Sequence, residues 1–221
     1  MDEIRSLLNK ITNKSYNEIE TEIFKKIDNA KDIFKYEEFM KIGKLIFEIG
    51  SLNKYCSALY AKLYKNLISH YSIFTEISDK NYNIYLDVFD NIKVVNAEED
   101  YNLYCDCNKE NENRKSLSLF YVNLMKENVF DIDKLVKIIL ILIEKVETYI
   151  NEENKTDTVE EVINNLIVFV SNIFEELKSH KDFCAIETHI LKISKAKKSE
   201  YKSLSSKIKF KYMDLLELLE D

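Results

Sequence analysis

Leu135-Val136-Lys137-Ile138-Ile139-Leu140-Ile141-Leu142-Ile143-Glu144-Lys145-Val146-Glu147-Thr148-Tyr149-Ile150 decides the fold class. Leu135, Ile138, Ile139, Leu142, Ile143, Val146, Tyr149 and Ile150 step by three and one, the rhythm of a broad apolar face on a helix. The rhythm returns in Val159, Val162, Ile163, Leu166, Ile167, Val170, Ile173, Phe174 and Leu177. Between the two, Asn151–Asp157 has no apolar residue and reads as a connecting loop. Thr158 with Glu161 offers a capping box for the second helix.

The same signature extends to both ends. Ile4, Leu7, Leu8 and Ile11 mark a short first helix, Thr12-Asn13-Lys14 a turn, and Ser15 with Glu18 a cap for the next helix, which carries Ile19, Ile23 and Ile27. Further helices follow around Phe39–Phe47 and Leu59–Leu67, and another from Tyr71 to Val95, in one piece or two. Residues 96–113, rich in Asn, Glu, Asp and Lys, read as a long loop with frayed helix. Helices near Arg114–Lys126, Cys184–Ala196 and Ser203–Glu220 complete about ten.

Composition agrees. There is no proline, and Gly43 and Gly50 are the only glycines. Sandwiches, barrels and alternating α/β folds draw on glycine for tight turns and phosphate loops, so they are poorly supplied here. Ile138–Ile143 and Leu166–Val170, the longest apolar runs, fall far short of the ~20 residues of a membrane span. The start, Met1-Asp2-Glu3-Ile4-Arg5, lacks the basic opening and apolar core of a signal peptide. Cysteines at 56, 105, 107 and 184 have no scaffold-like spacing and read as reduced thiols of a cytoplasmic protein. The expectation is a single domain over residues 1–221, all-α, built as a HEAT-type solenoid of about five antiparallel helix pairs with ~44 residues each.

The net charge of −7 is uneven. Lys192–Lys211 holds eight lysines against Glu200 and carries +7, leaving −14 on the remainder. A basic segment on an acidic body suggests a partner surface. No Gly-rich loop and no Ser–His or Cys–His pair stands in a catalytic setting, so the chain reads as non-catalytic and needing no cofactor. Cys105-x-Cys107, with His180, Cys184 and His189, has spacing too short for a paired zinc ligand set.

Several segments, in order, resemble the middle domain of translation initiation factor 4G, a five-repeat HEAT solenoid. They are Ile4–Thr12, Leu45–Glu48 followed by Tyr55, Ser57, Tyr60 and Ala61, then Arg114–Lys126, and last Leu204–Phe210 running into Met213–Leu218. The first and last are the more specific, because each fixes polar residues inside a helical pattern. The chain departs from the family at Asn13, where proline is usual, at the turn assigned to Gly50–Asn53, and around residues 96–113.

The resemblance implies a scaffold that binds and stimulates a DEAD-box RNA helicase of the initiation factor 4A type, holding its two lobes in a productive arrangement. On this chain Asn9, Lys10, Thr12 and Lys14 match the first contact, and Lys207 and Lys211, which share a helix face, are candidates for the second. Asn9 and Thr12 also suit local capping. Lys195, Lys197, Lys198 and Lys202 could track an RNA backbone, a weak and salt-sensitive contact. The scaffold is expected to be a monomer by itself with no membrane contact. The competing reading is a generic helical-repeat adaptor unrelated to RNA.

Overall fold

The computed structural model describes residues 2–30 and 35–220, and among them every regular element is helical. The helices are α1 (Asp2–Leu8), α2 (Tyr16–Ala30), α3 (Tyr36–Leu52), α4 (Ser57–His70), α5 (Ile73–Leu86), α6 (Tyr101–Lys126), α7 (Ile132–Tyr149), α8 (Thr156–Asn172), α9 (Phe174–Lys178), α10 (Phe183–Lys195) and α11 (Ser206–Glu220). The all-α expectation holds, and consecutive helices pack in pairs as in helical-repeat proteins. The chain divides into two compact units, Met1–Asp87 with Leu119–Phe130, and Val88–Ser118 with Asp131–Asp221.

In the first unit α1 packs on α2, and α3 on both α4 and α5. Aromatic rings fill its core. Phe47 meets Tyr64 edge-on at 4.8 Å and Phe120 at 5.2 Å, while Tyr121 stacks on Phe130 at 5.7 Å. Such edge and offset contacts suit the ring quadrupole. Both glycines lie inside α3. A Cβ on Gly43 would sit 2.6 Å from Cγ2 of Ile77, and one on Gly50 would sit 3.0 Å from the Phe120 ring. Gly50 therefore serves close helix packing, and the turn expected from Gly50 onward begins only after Leu52.

The second unit rests on α7 and α8. Asp131 caps α7 by accepting the Lys134 amide at 3.0 Å. The apolar face from Leu135 to Val146 is buried against Val159–Val170 of α8. A connection as short as Ile150–Lys155 permits only a reversal of direction, with Asn154 at φ 60 supplying the left-handed step. Ser203, almost fully buried, ties this loop down: its hydroxyl donates to the Glu152 carbonyl at 2.7 Å and accepts the Lys155 amide at 3.0 Å, and its own amide bonds the Ile150 carbonyl. α11 thus begins at Ser206, after this clamp, rather than at Ser203.

Three local expectations are corrected. Residues 101–113 are helix, the first half of α6, started by Asp100, whose carboxylate accepts the Leu103 amide. The inward positions Cys107, Asn111, Arg114 and Ser118 step by four, three and four but are mostly polar, so the stripe leaves no apolar signature. Thr158 is buried within α8 and caps nothing at its start, because the helix already begins at Thr156. Ser15 directs its hydroxyl back to the Lys10 carbonyl instead of forward along α2.

Candidate functional site

The turn between α1 and α2 is built from its own hydroxyls. Ser15 Oγ donates to the Lys10 carbonyl at 2.8 Å and accepts the Thr12 amide at 3.0 Å, and the Ser15 amide donates to Thr12 Oγ1 at 3.2 Å. Ile11 is buried beneath them. Tyr60 donates its hydroxyl to the Leu8 carbonyl at 2.9 Å, satisfying a carbonyl at the end of α1. Burial, with the neighbouring Cys56, pushes the Tyr60 phenol up to about 12, so it remains a donor across the neutral range. The result is a fixed turn that leaves Asn9, Lys10 and Lys14 exposed. Thr12 is exposed too, but its hydroxyl is committed to Ser15.

The C-terminal lysines divide into two groups. Lys207 and Lys211 do share a face of α11, and that face meets Glu160 of α8. Lys211 Nζ lies 3.1 Å from Glu160 Oε1, and its side chain is mostly covered; Lys207 reaches the same oxygen while staying largely in solvent. Although burial works against the charged form, the two ammonium groups hold the Glu160 carboxyl below its ordinary value. A partner's carboxylate at Lys211 must compete with Glu160. Lys195, Lys197 and Lys198 are exposed at the end of α10 and the 3₁₀ turn after it, and Lys202 pairs loosely with Glu153 at 3.5 Å. Of the aromatic residues here, Tyr212 is buried, Tyr201 half-buried, and Phe210 exposed.

No family model matches this chain, and no curated protein does.

The second unit also contains a buried polar network that sequence reasoning missed. Arg114 and Glu161 are both almost fully covered, with Arg114 Nη1 3.8 Å from Glu161 Oε1. That is an ion pair too long to be a hydrogen bond. Arg114 donates to Asn111 and lies 3.8 Å from Glu110. Glu161 receives Asn164 Nδ2 at 3.3 Å and Asn165 Nδ2 at 3.2 Å, and Asn165 Oδ1 lies 2.7 Å from Ser118 Oγ. Desolvation outweighs these partners, so the Glu161 carboxyl is raised above the usual range. One signal was available: the chain has 32 basic residues of which only Arg5 and Arg114 are arginine. In a lysine-biased chain, an arginine marks a place that uses the planar fork.

His180 and His189 are each engaged by side chains of their own. His180 bonds Asp133 at 2.9 Å, and His189 lies between Glu147 and Tyr212. Cys105 and Cys184 are exposed and Cys107 is buried. Among the described residues no group of three or more His, Cys, Asp or Glu is arranged to hold a metal ion. Nor is any described helix long and apolar enough to cross a membrane.

Proposed function

We propose that this chain is a non-catalytic helical-repeat scaffold that binds and stimulates a DEAD-box RNA helicase of the initiation factor 4A type, acting in cytoplasmic translation initiation. The observation that carries the reading is the turn after α1. Its main chain is fixed by the Thr12–Ser15 hydrogen bonds, while Asn9, Lys10 and Lys14 stay exposed. The likeness of Ile4–Thr12 to the opening of the initiation factor 4G middle domain supports the choice of partner.

An amide that both donates and accepts, flanked by two ammonium groups, suits a partner surface of carbonyls and carboxylates. Holding that set on a rigid turn lowers the ordering cost of association. A scaffold of this kind works by binding one arrangement of its partner better than another, which shifts the partner's population. The committed hydroxyl of Thr12 makes it a support for the turn. The Lys207–Lys211 face, held by Glu160, contributes a weaker second contact. Lys195, Lys197 and Lys198 add a salt-sensitive attraction for RNA.

Isothermal titration against a purified initiation-type DEAD-box helicase tests this. Micromolar or tighter binding that Asn9→Ala/Lys10→Ala weakens about tenfold, at unchanged helicity, is the expected result. Absence of a complex by titration and gel filtration removes the helicase and leaves a helical adaptor for some other protein.

A further inference from the structure

A cavity of about 250 Å³ opens in the second unit between the segment Ile92–Val95, the first half of α6 and the start of α8. Its volume falls below the roughly 300–1,000 Å³ of a small-molecule site, so it suits a single long side chain. The wall formed by Ile92–Val95 is neither helix nor strand. Among the described residues, none of the amides from Ile92 to Val95 donates a hydrogen bond within the protein. Main-chain groups are obligatory hydrogen-bonding groups, and an open run of them is an edge for another chain.

The rest of the lining points to the charge of the visitor. Asp157, Glu160 and Glu161 bring three carboxylates from α8 against the ammonium groups of Lys93 and Lys207, and Tyr104 brings an aromatic ring from α6. Ile92, Val94 and Val95 supply apolar surface that can cover a methylene stem. Carboxylates for a cationic head, a ring for its face and an apolar wall for its stem are what a lysine or arginine side chain needs. The protein's own Lys207 already answers this chemistry from the rim, where it reaches Glu160 with its side chain 69% exposed. Exposed pairs of this kind contribute little and exchange readily.

We propose that the second unit docks a basic peptide segment of another protein, whose main chain pairs with Ile92–Val95 while one lysine or arginine side chain enters the cavity beside Asp157 and Glu160. The site shares Lys207 and Glu160 with the second helicase contact but none of the turn after α1, which carries the helicase reading. Docking displaces Lys207 into solvent, while the more covered Lys211 keeps its pair with Glu160. Removing Lys207 therefore helps the peptide, whereas removing a carboxylate hurts it.

Fluorescence anisotropy with a short fluorescein-labelled peptide of alternating valine and lysine tests the proposal on the full chain. Binding in the range of about 10–100 µM is expected, weakened about tenfold in Asp157→Asn and tightened about threefold in Lys207→Met. Asp157 is exposed, so its substitution leaves the fold intact, which circular dichroism verifies. A matched valine–glutamate peptide and a lysine peptide N-methylated on alternate amides should both fail to bind. Absence of binding, equal affinity across wild type and both variants, or equal affinity of either control peptide overturns the proposal. So does displacement by free butylamine at the same concentration as unlabelled peptide, since a site for the amine alone needs no peptide.

Discussion

The hydroxyl of Tyr212 on α11 lies 2.8 Å from Nε2 of His189 on α10, and both rings are buried. If Nε2 accepts the phenol proton, Nδ1 carries the imidazole hydrogen and donates it to Glu147 of α7 at 3.2 Å. One neutral ring thereby joins three helices. Protonation would put a hydrogen on Nε2, where the phenol hydrogen already sits.

Burial holds His189 below its ordinary value of 6.5; Glu147 pulls the other way with less effect, and Lys192 adds to the lowering. As pH falls from about 6.5 toward the lower folded value, the unfolded chain takes up a proton that the folded chain refuses. Stability therefore declines across that window and this contribution levels off below it. His189→Gln, whose amide can still donate to Glu147 and accept from Tyr212, should flatten the decline. Urea midpoints of both proteins at about pH 7.5 and about pH 5.5 decide it. An identical drop in the two proteins would remove His189 as the cause.

Arg114 and Glu161 should respond unequally to truncation. Without Arg114, Glu161 keeps two amide partners and the attraction of Lys115 but loses the cation paired with it at 3.8 Å in a covered site, so Arg114→Met should cost about 2–3 kcal/mol. Glu161→Gln removes a carboxyl whose charged form burial already disfavours, and Arg114 retains Asn111 and Glu110. That variant should stay within about 1 kcal/mol of the parent. Denaturant unfolding of both, with the double variant as a cycle, reads the difference. Equal losses in the two single variants contradict this account.

Gly43→Ala should destabilise although alanine is the better helix former. The gain in propensity is about 1 kcal/mol, and the new methyl meets Ile77 Cγ2 at 2.6 Å, an overlap that typically costs about 1–3 kcal/mol. Pairing it with Ile77→Ala should return part of the loss by making room. If Gly43→Ala raises the midpoint by itself, α3 and α5 are less tightly apposed than described.

The turn after α1 separates support from contact. Ser15→Ala removes a hydroxyl that bonds both the Lys10 carbonyl and the Thr12 amide, and should cost about 1 kcal/mol. Asn9→Ala and Lys10→Ala, at exposed positions, should each stay within about 0.5 kcal/mol. Thermal melts of the three variants test this directly. A loss at Asn9 as large as that at Ser15 would make Asn9 a structural residue.

What could be read from sequence follows from what is local. The faces of α7 and α8 declare themselves because burial there is apolar and helical spacing repeats it within each segment. The beginning of α6 stays hidden because its inward stripe runs through Asn111, Arg114 and Ser118, residue types that also fill loops. Thr158 and Glu161 have the spacing of a capping box, yet α8 starts two residues earlier and turns both inward. The Arg114–Glu161 pair spans 47 residues of chain, the same separation as Ser118 and Asn165, and no short-range pattern records it. The turn at Thr12–Lys14 could be read because its residues lie within one short stretch, whereas the contact assigned to Asn9, Lys10 and Lys14 comes from the resemblance of Ile4–Thr12 and stands as a proposal.

Ser203 has a consequence for how this protein can change. Surface connections usually accept extra residues, since lengthening a loop costs little entropy. Here one side chain grips Glu152 and Lys155 at once, while its amide holds Ile150. An added residue anywhere between those points breaks the grip and exposes a buried hydroxyl to unmet bonding. The connection between α7 and α8 is therefore a ruler of fixed length. Insertions that a chain like this can inherit, or an engineer can graft, belong elsewhere.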